Sequence, residues 1–273
     1  RQSSELHFLL PFIFQNGEAM LEVKNLTAGY SDKPIIRDIS FDVASGEIAC
    51  VLGQNGCGKT TLLKACTKII PVMSGSVYID GENILAKKRK DIAKLLTLMS
   101  GQNAAYFSYT VFQTVLLALY AKTQQRFLSE AFSKIDYEKV NEVLHQCNIW
   151  HLRQCYLTEL SSGQLQKVFF AQALAQDTPV VFLDEPTSHL DLKAQIELSE
   201  QLVYLSQEKK CSVLTVFHDI NFALQTADRI ILMKDGTIFS NAKKQDLDFE
   251  KLNLLYDTDV KSFMQKSFEF WKK

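Results

Sequence analysis

The chain has 273 residues, with 30 Lys and Arg against 31 Asp and Glu, a formal net charge of -1, 47% hydrophobic and 22% charged residues. That balance belongs to a globular chain able to bury about three quarters of its unfolded surface, and it excludes a disordered segment or a polycation that coats nucleic acid. Six cysteines (Cys50, Cys57, Cys66, Cys147, Cys155 and Cys211) show no C-x-x-C pair, and this spacing suits free thiols in a reducing cytosol better than a disulfide frame or a zinc site.

The chain opens on Arg1, and its most apolar early stretch, residues 8–14, is short and contains Pro11. A spanning helix needs about 20 apolar residues, so any membrane role is expected to run through a partner. Residues 1–19 carry no motif and are expected to be an N-terminal extension or upstream or tag sequence, with Met20 as the natural start. Residues 21–52 alternate with a period of two (Leu21, Val23, then Ile39, Phe41, Val43) and end in the apolar run Ile48-Ala49-Cys50-Val51-Leu52, which predicts strands leading to a glycine-rich loop. A helix over 60–67 and a strand over 76–80 closed by Gly81 follow.

The stretch from about 103 to 176 reads as an inserted helical subdomain, with Val140, Val143, Leu144 and Cys147 at helical spacing. Strands return at 180–183 and 213–217, and 229–239 predicts a hairpin turning at Asp235-Gly236. The main domain is expected to span 20–240. Residues 241–273 form a helical tail whose aromatics Phe263, Phe268, Phe270 and Trp271 are expected to pack.

Gly53-Gln54-Asn55-Gly56-Cys57-Gly58-Lys59-Thr60 fits G-x-x-x-x-G-K-[ST] between a buried strand and a helix. Glycines let backbone N–H groups turn inward around phosphates, the helix N-terminus adds its dipole, Lys59 neutralises charge, and Thr60 can ligate Mg²⁺, with Thr61 the next contact. Inside the loop, Cys57 is expected to lean toward thiolate because of the backbone dipoles and Lys59. By itself the loop establishes nucleotide binding and no more.

The apolar run Val180-Val181-Phe182-Leu183 ends in Asp184-Glu185, which puts two carboxylates at the C-terminal edge of a sheet, where open α/β folds bind ligands. Asp184 is expected to hold Mg²⁺ and Glu185 to act as general base on a water. His218 follows the next strand, at the same edge, within reach of a γ-phosphate or of Glu185.

Leu160-Ser161-Ser162-Gly163-Gln164 resembles the signature sequence of ABC (ATP-binding cassette) ATPases, with Ser162 where the family has a second glycine. The resemblance runs from about residue 21 to 239. It implies an α/β, ABC-type P-loop NTPase with a RecA-like core sheet, an N-terminal antiparallel β subdomain and an inserted helical subdomain. It makes Tyr30 the aromatic under adenine, Gln102 the Q-loop residue beside the metal and the reacting water, Ser188-His189-Leu190-Asp191 the D-loop, and His218 the switch histidine. A second departure is Ser100-Gly101, which replaces the usual proline-containing approach to Gln102. The family pairs two subunits head to tail, each ATP lying between one phosphate loop and the opposite signature (Ser161, Ser162, Gly163, Gln164). Partners so implied are a second copy, an integral membrane permease whose coupling helix meets the helical subdomain and, indirectly, a substrate-binding protein; the location is the cytoplasmic face of the membrane. Residues 109–111, 171–177, 187–195 and 218–229 look like the ATPases of iron-chelate and cobalamin importers, while those of zinc and manganese importers are very similar. Soluble ABC ATPases of DNA repair or translation share the phosphate-site motifs, but usually carry two cassettes, zinc-bearing insertions or basic linkers; nothing here asks for nucleic acid.

Overall fold

A computed structural model describes residues 19–100, 108–122, 132–188 and 190–269. Strands β1 (Ala19–Tyr30), β2 (Lys33–Ala44) and β3 (Ile48–Leu52) lead into helix α1 (Lys59–Cys66). Strands β4 (Val72–Ile79) and β5 (Glu82–Asn83), the short helix α2 (Arg89–Ile92) and strand β6 (Leu96–Ser100) follow. Helices α3 (Val111–Ala118), α4 (Lys134–Gln146) and α5 (Ser162–Gln176) come next, then strand β7 (Val180–Asp184). Helix α6 (Leu192–Gln207), strand β8 (Ser212–Val216), helix α7 (Ile220–Thr226), strands β9 (Arg229–Lys234) and β10 (Thr237–Lys243) and helices α8 (Phe249–Tyr256) and α9 (Val260–Glu269) complete the order.

Two sheets result. One is antiparallel, in the order β2-β1-β4-β5; the other runs β10-β9-β3-β8-β7-β6, parallel from β9 to β6 and closed by the antiparallel β10. The core strands β3, β7 and β8 are buried along their whole length, so their sequences are unbroken apolar runs rather than alternations. The period of two still sorts their side chains. Cys50, Leu52, Val181, Leu183, Val213 and Phe217 join α5, α6 and α7 on one face. Ala49, Val51, Phe182, Leu214 and Val216 face α1 and the antiparallel sheet, meeting Leu62, Leu63, Ile36 and Ile39. The phosphate loop therefore leaves the sheet between two packed layers, which fix both of its ends.

The predicted helix at 60–67 and hairpin at 229–239 form with boundaries shifted: β10 continues to Lys243, and α1 already includes Lys59. Strand β4 begins four residues before the predicted 76, because Val72 and Ser74 pair with Ala28 and Thr27 of β1 across a register shift that alternation alone does not reveal. The hairpin turns at Asp235 (φ 49°) and Gly236 (φ 79°), both left-handed as a two-residue loop requires. A Cβ on Gly236 would lie 2.0 Å from the Ile35 carbonyl oxygen, so the turn sits directly on β2. In the tail, Leu252, Leu255 and Val260 supply the packing. Phe263 is 68% exposed, so it does not enter the core as the expected packing of the tail aromatics would have it. Phe270 and Trp271 lie outside the described residues.

Candidate functional site

Three neighbouring parallel strands, β3, β8 and β7, bring their C-terminal ends to one edge. There the sequence carries the phosphate loop, His218 and the acid pair. In the loop, Gly56 (φ 81°) and Gly58 (φ 107°) adopt left-handed backbone, and a Cβ on Gly53 would lie 2.4 Å from the Met233 carbonyl oxygen. Gly236 N–H donates to the Cys57 carbonyl at 3.1 Å, and Arg37 N–H to the Gly236 carbonyl at 2.8 Å, tying the loop through the hairpin turn to β2. Gly58 is the N-cap of α1 and offers no side-chain acceptor. The first amides of that helix are thus left open toward the cleft, with the positive end of the helix dipole behind them.

Lys59 is only 6% exposed, and its ammonium donates to the Gly53 carbonyl at 2.8 Å and the Gln54 carbonyl at 3.1 Å. It spans the loop it is expected to serve. Thr60 Oγ1 donates to Asp184 Oδ1 at 3.1 Å. Burial is the main force holding the Asp184 carboxyl above the usual carboxylate range; the Thr60 hydrogen bond, Lys64 and Lys59 oppose it, and the neighbouring Glu185 adds to it. A hard cation would relieve this strain, and paired hydroxyl and carboxylate oxygens are the donors Mg²⁺ prefers. The Glu185 carboxylate lies 2.7 Å from His218 Nε2 and 3.5 Å from Ser188 Oγ. Its backbone is left-handed (φ 53°), a conformation costly for a residue with a Cβ and typical of positions where side-chain aim matters. A hydrogen bond from Glu185 N–H to the Val216 carbonyl at 3.1 Å pins it there. Glu185 and His218 line, together with Ile35, Asn55, Gly56, Gly58, Lys59, Thr60 and Thr61, an open cleft of about 530 Å³. A carboxylate and an imidazole at hydrogen-bond distance beside such a loop can take and relay a proton from water.

The structure brings Gly53–Thr61, Asp184, Glu185 and His218 together. It does not bring Ser161–Gln164 into that cleft. Ser161 caps α5: Gln164 N–H donates to Ser161 Oγ at 3.3 Å, and Ser161 N–H to Gln164 Oε1 at 2.9 Å. Ser162 occupies the first helical position without left-handed backbone, so a serine in place of glycine fits the helix. The same helix reaches the acid pair from behind, Gln166 Nε2 donating to the Glu185 carbonyl at 3.4 Å. Tyr30 ends β1, is 48% exposed and is not among the residues that line the cleft. Gln102 and His189 lie outside the described residues.

Cys57 overturns its expectation. The thiol is buried, and burial pushes it up; Lys59 and backbone hydrogen bonds act the other way without prevailing, so the thiolate is disfavoured. The reason is packing, since the Sγ lies 2.7 Å from where a Gly53 Cβ would be. All six cysteines are free, and Cys155 alone among them is not buried. Sequence reasoning also missed Ile35, whose role as cleft wall follows from the β2–hairpin contact and has no local signal.

The family described as ABC transporter matches residues 36–188. The petrobactin import ATP-binding protein YclP of Bacillus subtilis (strain 168) is 32% identical over 242 residues, covering 88% of this chain and 94% of that protein. The ferric enterobactin transport ATP-binding protein FepC of Escherichia coli (strain K12) is 31% identical over 239 residues, covering 87% of each. Among solved structures, a transporter described as of metal-chelate type in an inward-facing conformation superposes with a TM-score of 0.74 at 27% identity, covering 88% of this chain and 90% of the other. The dimeric bacterial ABC transporter cassette MJ0796 does so with a TM-score of 0.73 at 25% identity, covering 84% of this chain and 100% of that one.

Proposed function

Because the chain belongs to the ABC transporter family and is an ATP-binding cassette that couples ATP hydrolysis to transport, we propose that it energises import of an iron chelate through a separate membrane permease. The observation that carries the catalytic half of this reading is the Glu185–His218 pair, 2.7 Å apart beside the phosphate loop. ATP phosphates lie against the loop amides of Gly53–Thr61. Lys59 exchanges its two carbonyl partners for phosphate oxygens as nucleotide enters. Thr60 and Asp184 would hold Mg²⁺, which when bound neutralises charge on the β- and γ-phosphates. Glu185 accepts the proton of the attacking water at its carboxylate, and His218 orients that carboxylate and faces the γ-phosphate. Tyr30, half exposed at the end of β1, stacks on adenine, and Gln102 is the Q-loop residue that serves the metal and the reacting water.

The capped N-terminus of α5 is a ready anion site that this chain's own cleft does not use. A second copy, docked head to tail, presents it to the opposite ATP. Cassettes of this family dimerise, as MJ0796 does. Among the described residues no helix is long and apolar enough to cross a membrane; the subunit works at the cytoplasmic face, on a permease that a substrate-binding protein loads from the other side. The cargo class rests on relatives named for import of petrobactin and transport of ferric enterobactin.

The test is affinity purification of the full chain from detergent-solubilised membranes of its own organism, followed by uptake of radiolabelled iron bound to a panel of chelates in cells lacking the gene. Recovery of a permease and loss of uptake for one chelate class are expected. Recovery of ribosomes or nucleic acid without a permease would overturn the transport reading.

A further inference from the structure

Helix α8 ends against the phosphate loop. The last carbonyls of a helix have no intrahelical donors, and here two of them accept from side chains, one on the phosphate loop and one on β9. Gln54 Nε2 donates to the Leu255 carbonyl at 2.9 Å, and Lys234, just before the hairpin turn that supports the loop, donates through Nζ to the Leu254 carbonyl at 3.3 Å. The helix cannot drift from this position. Leu252 and Leu255 are buried in the main core, Lys251 Nζ holds Ser240 of β10 at 3.3 Å, and Asp257 stops the helix in left-handed backbone at φ 53°.

Tyr256, the last residue of α8, is half buried beside the same corner. Burial pushes its hydroxyl up to about 12, Cys50 and Cys57 act in the same direction, and hydrogen bonding from the Gly53 backbone opposes them. Two grips therefore meet at Gly53-Gln54. From inside the loop, Lys59 holds both carbonyls; from outside, α8 holds the Gln54 side chain. When Lys59 turns to phosphate the inner grip is lost, and only the outer one keeps the corner in its binding shape.

We propose that Gln54 and Lys234 are positioning residues for the phosphate loop, through which the C-terminal helix α8 sets how tightly the loop holds nucleotide. The proposal rests on the ATP-binding reading of the loop and adds an input to it from a segment outside the recognised motifs.

The experiment uses the full chain and compares Gln54→Met, which keeps length but loses the amide donor, Lys234→Met, which keeps length but loses the ammonium donor to the Leu254 carbonyl, and the double variant. Trinitrophenyl-ATP affinity, kcat, KM and melting temperature are measured for each, with wild type and Lys59→Ala as binding and non-binding references. Each single change should weaken nucleotide binding and raise KM by about threefold to tenfold, the scale of one hydrogen bond, while kcat at saturating ATP stays within about twofold of wild type. The double variant should be no weaker than the worse single, because both changes release the same corner. A fall in melting temperature with unchanged affinity would overturn the proposal and leave these residues a purely structural role. Losses that multiply in the double variant would overturn it too, as two unrelated defects. Failure of wild type itself to bind would instead refute the nucleotide reading, and the proposal with it.

Discussion

Replacing Glu185 with Gln isolates the proton from everything else the side chain does. The left-handed backbone at 185 is unchanged, since both residues carry the same Cβ, and the amide oxygen can still accept from His218, now 2.7 Å from the carboxylate. What is lost is the capacity to take a proton from water, a general-base loss of about 10²-fold or more in hydrolysis rate, or about 2.7 kcal/mol of barrier. Binding should survive, because the loop amides, Lys59, Thr60 and Asp184 are untouched. A cassette that binds and does not hydrolyse cannot reset, so ATP-dependent dimers should accumulate in size-exclusion chromatography with light scattering. Adding Ser161→Arg places bulk and a positive charge at the N-terminus of α5, and dimers should vanish while trinitrophenyl-ATP still binds each monomer. The lost cap at Ser161 costs about 0.5–2 kcal/mol, so the melting curve should remain cooperative at a lower temperature. If the double variant dimerised as readily as Glu185→Gln alone, the head-to-tail assignment of the signature would be wrong.

Asp184→Asn should separate the cost of a buried acid from its use. The folded-state pKa is raised by burial, so ionisation opposes folding and wild-type stability falls as pH rises from about 4 through the raised value. The nucleotide-free Asn variant should then melt above wild type near neutral pH, with the gap closing toward pH 4, and should show no Mg-ATP-dependent shift; a lower melting temperature at neutral pH would contradict the burial argument. For the thiols, Cys155 should be the first cysteine alkylated by iodoacetamide in native protein, with Cys57 labelled only on unfolding. Fast, ATP-protected labelling of Cys57 by peptide mass spectrometry would contradict its burial.

The parts of the site that depend on spacing along one segment were legible in the sequence. Gly53–Thr60, Asp184-Glu185 and His218 each follow an apolar run short enough to be a core strand, and adjacent parallel strands necessarily deliver their ends to one edge. The resemblance in residues 160–164 then narrowed nucleotide binding to one family, and in the fold Ser161 caps the helix that this segment begins. What was not legible depends on pairing across the chain. The early start of β4 arises from a bulged register against β1, and Ile35 enters the cleft only because Gly236 seats the hairpin turn on β2.

Cys57 shows how a local argument fails when a distant contact decides the sign. Loop dipoles and Lys59 do favour its thiolate, as a reading of the motif suggests, but they act on a sulfur packed against Gly53 and shut off from water, where the cost of charge exceeds their help. Gln54 makes the same point from the opposite side. In the motif it is an unconstrained position, yet in the fold its amide is spent on a carbonyl 201 residues away. A position left free by the chemistry of the phosphates is thus where the rest of the chain can take hold of the loop without displacing a group that touches nucleotide, and that is why the coupling to α8 runs through Gln54 rather than through Lys59 or Thr60.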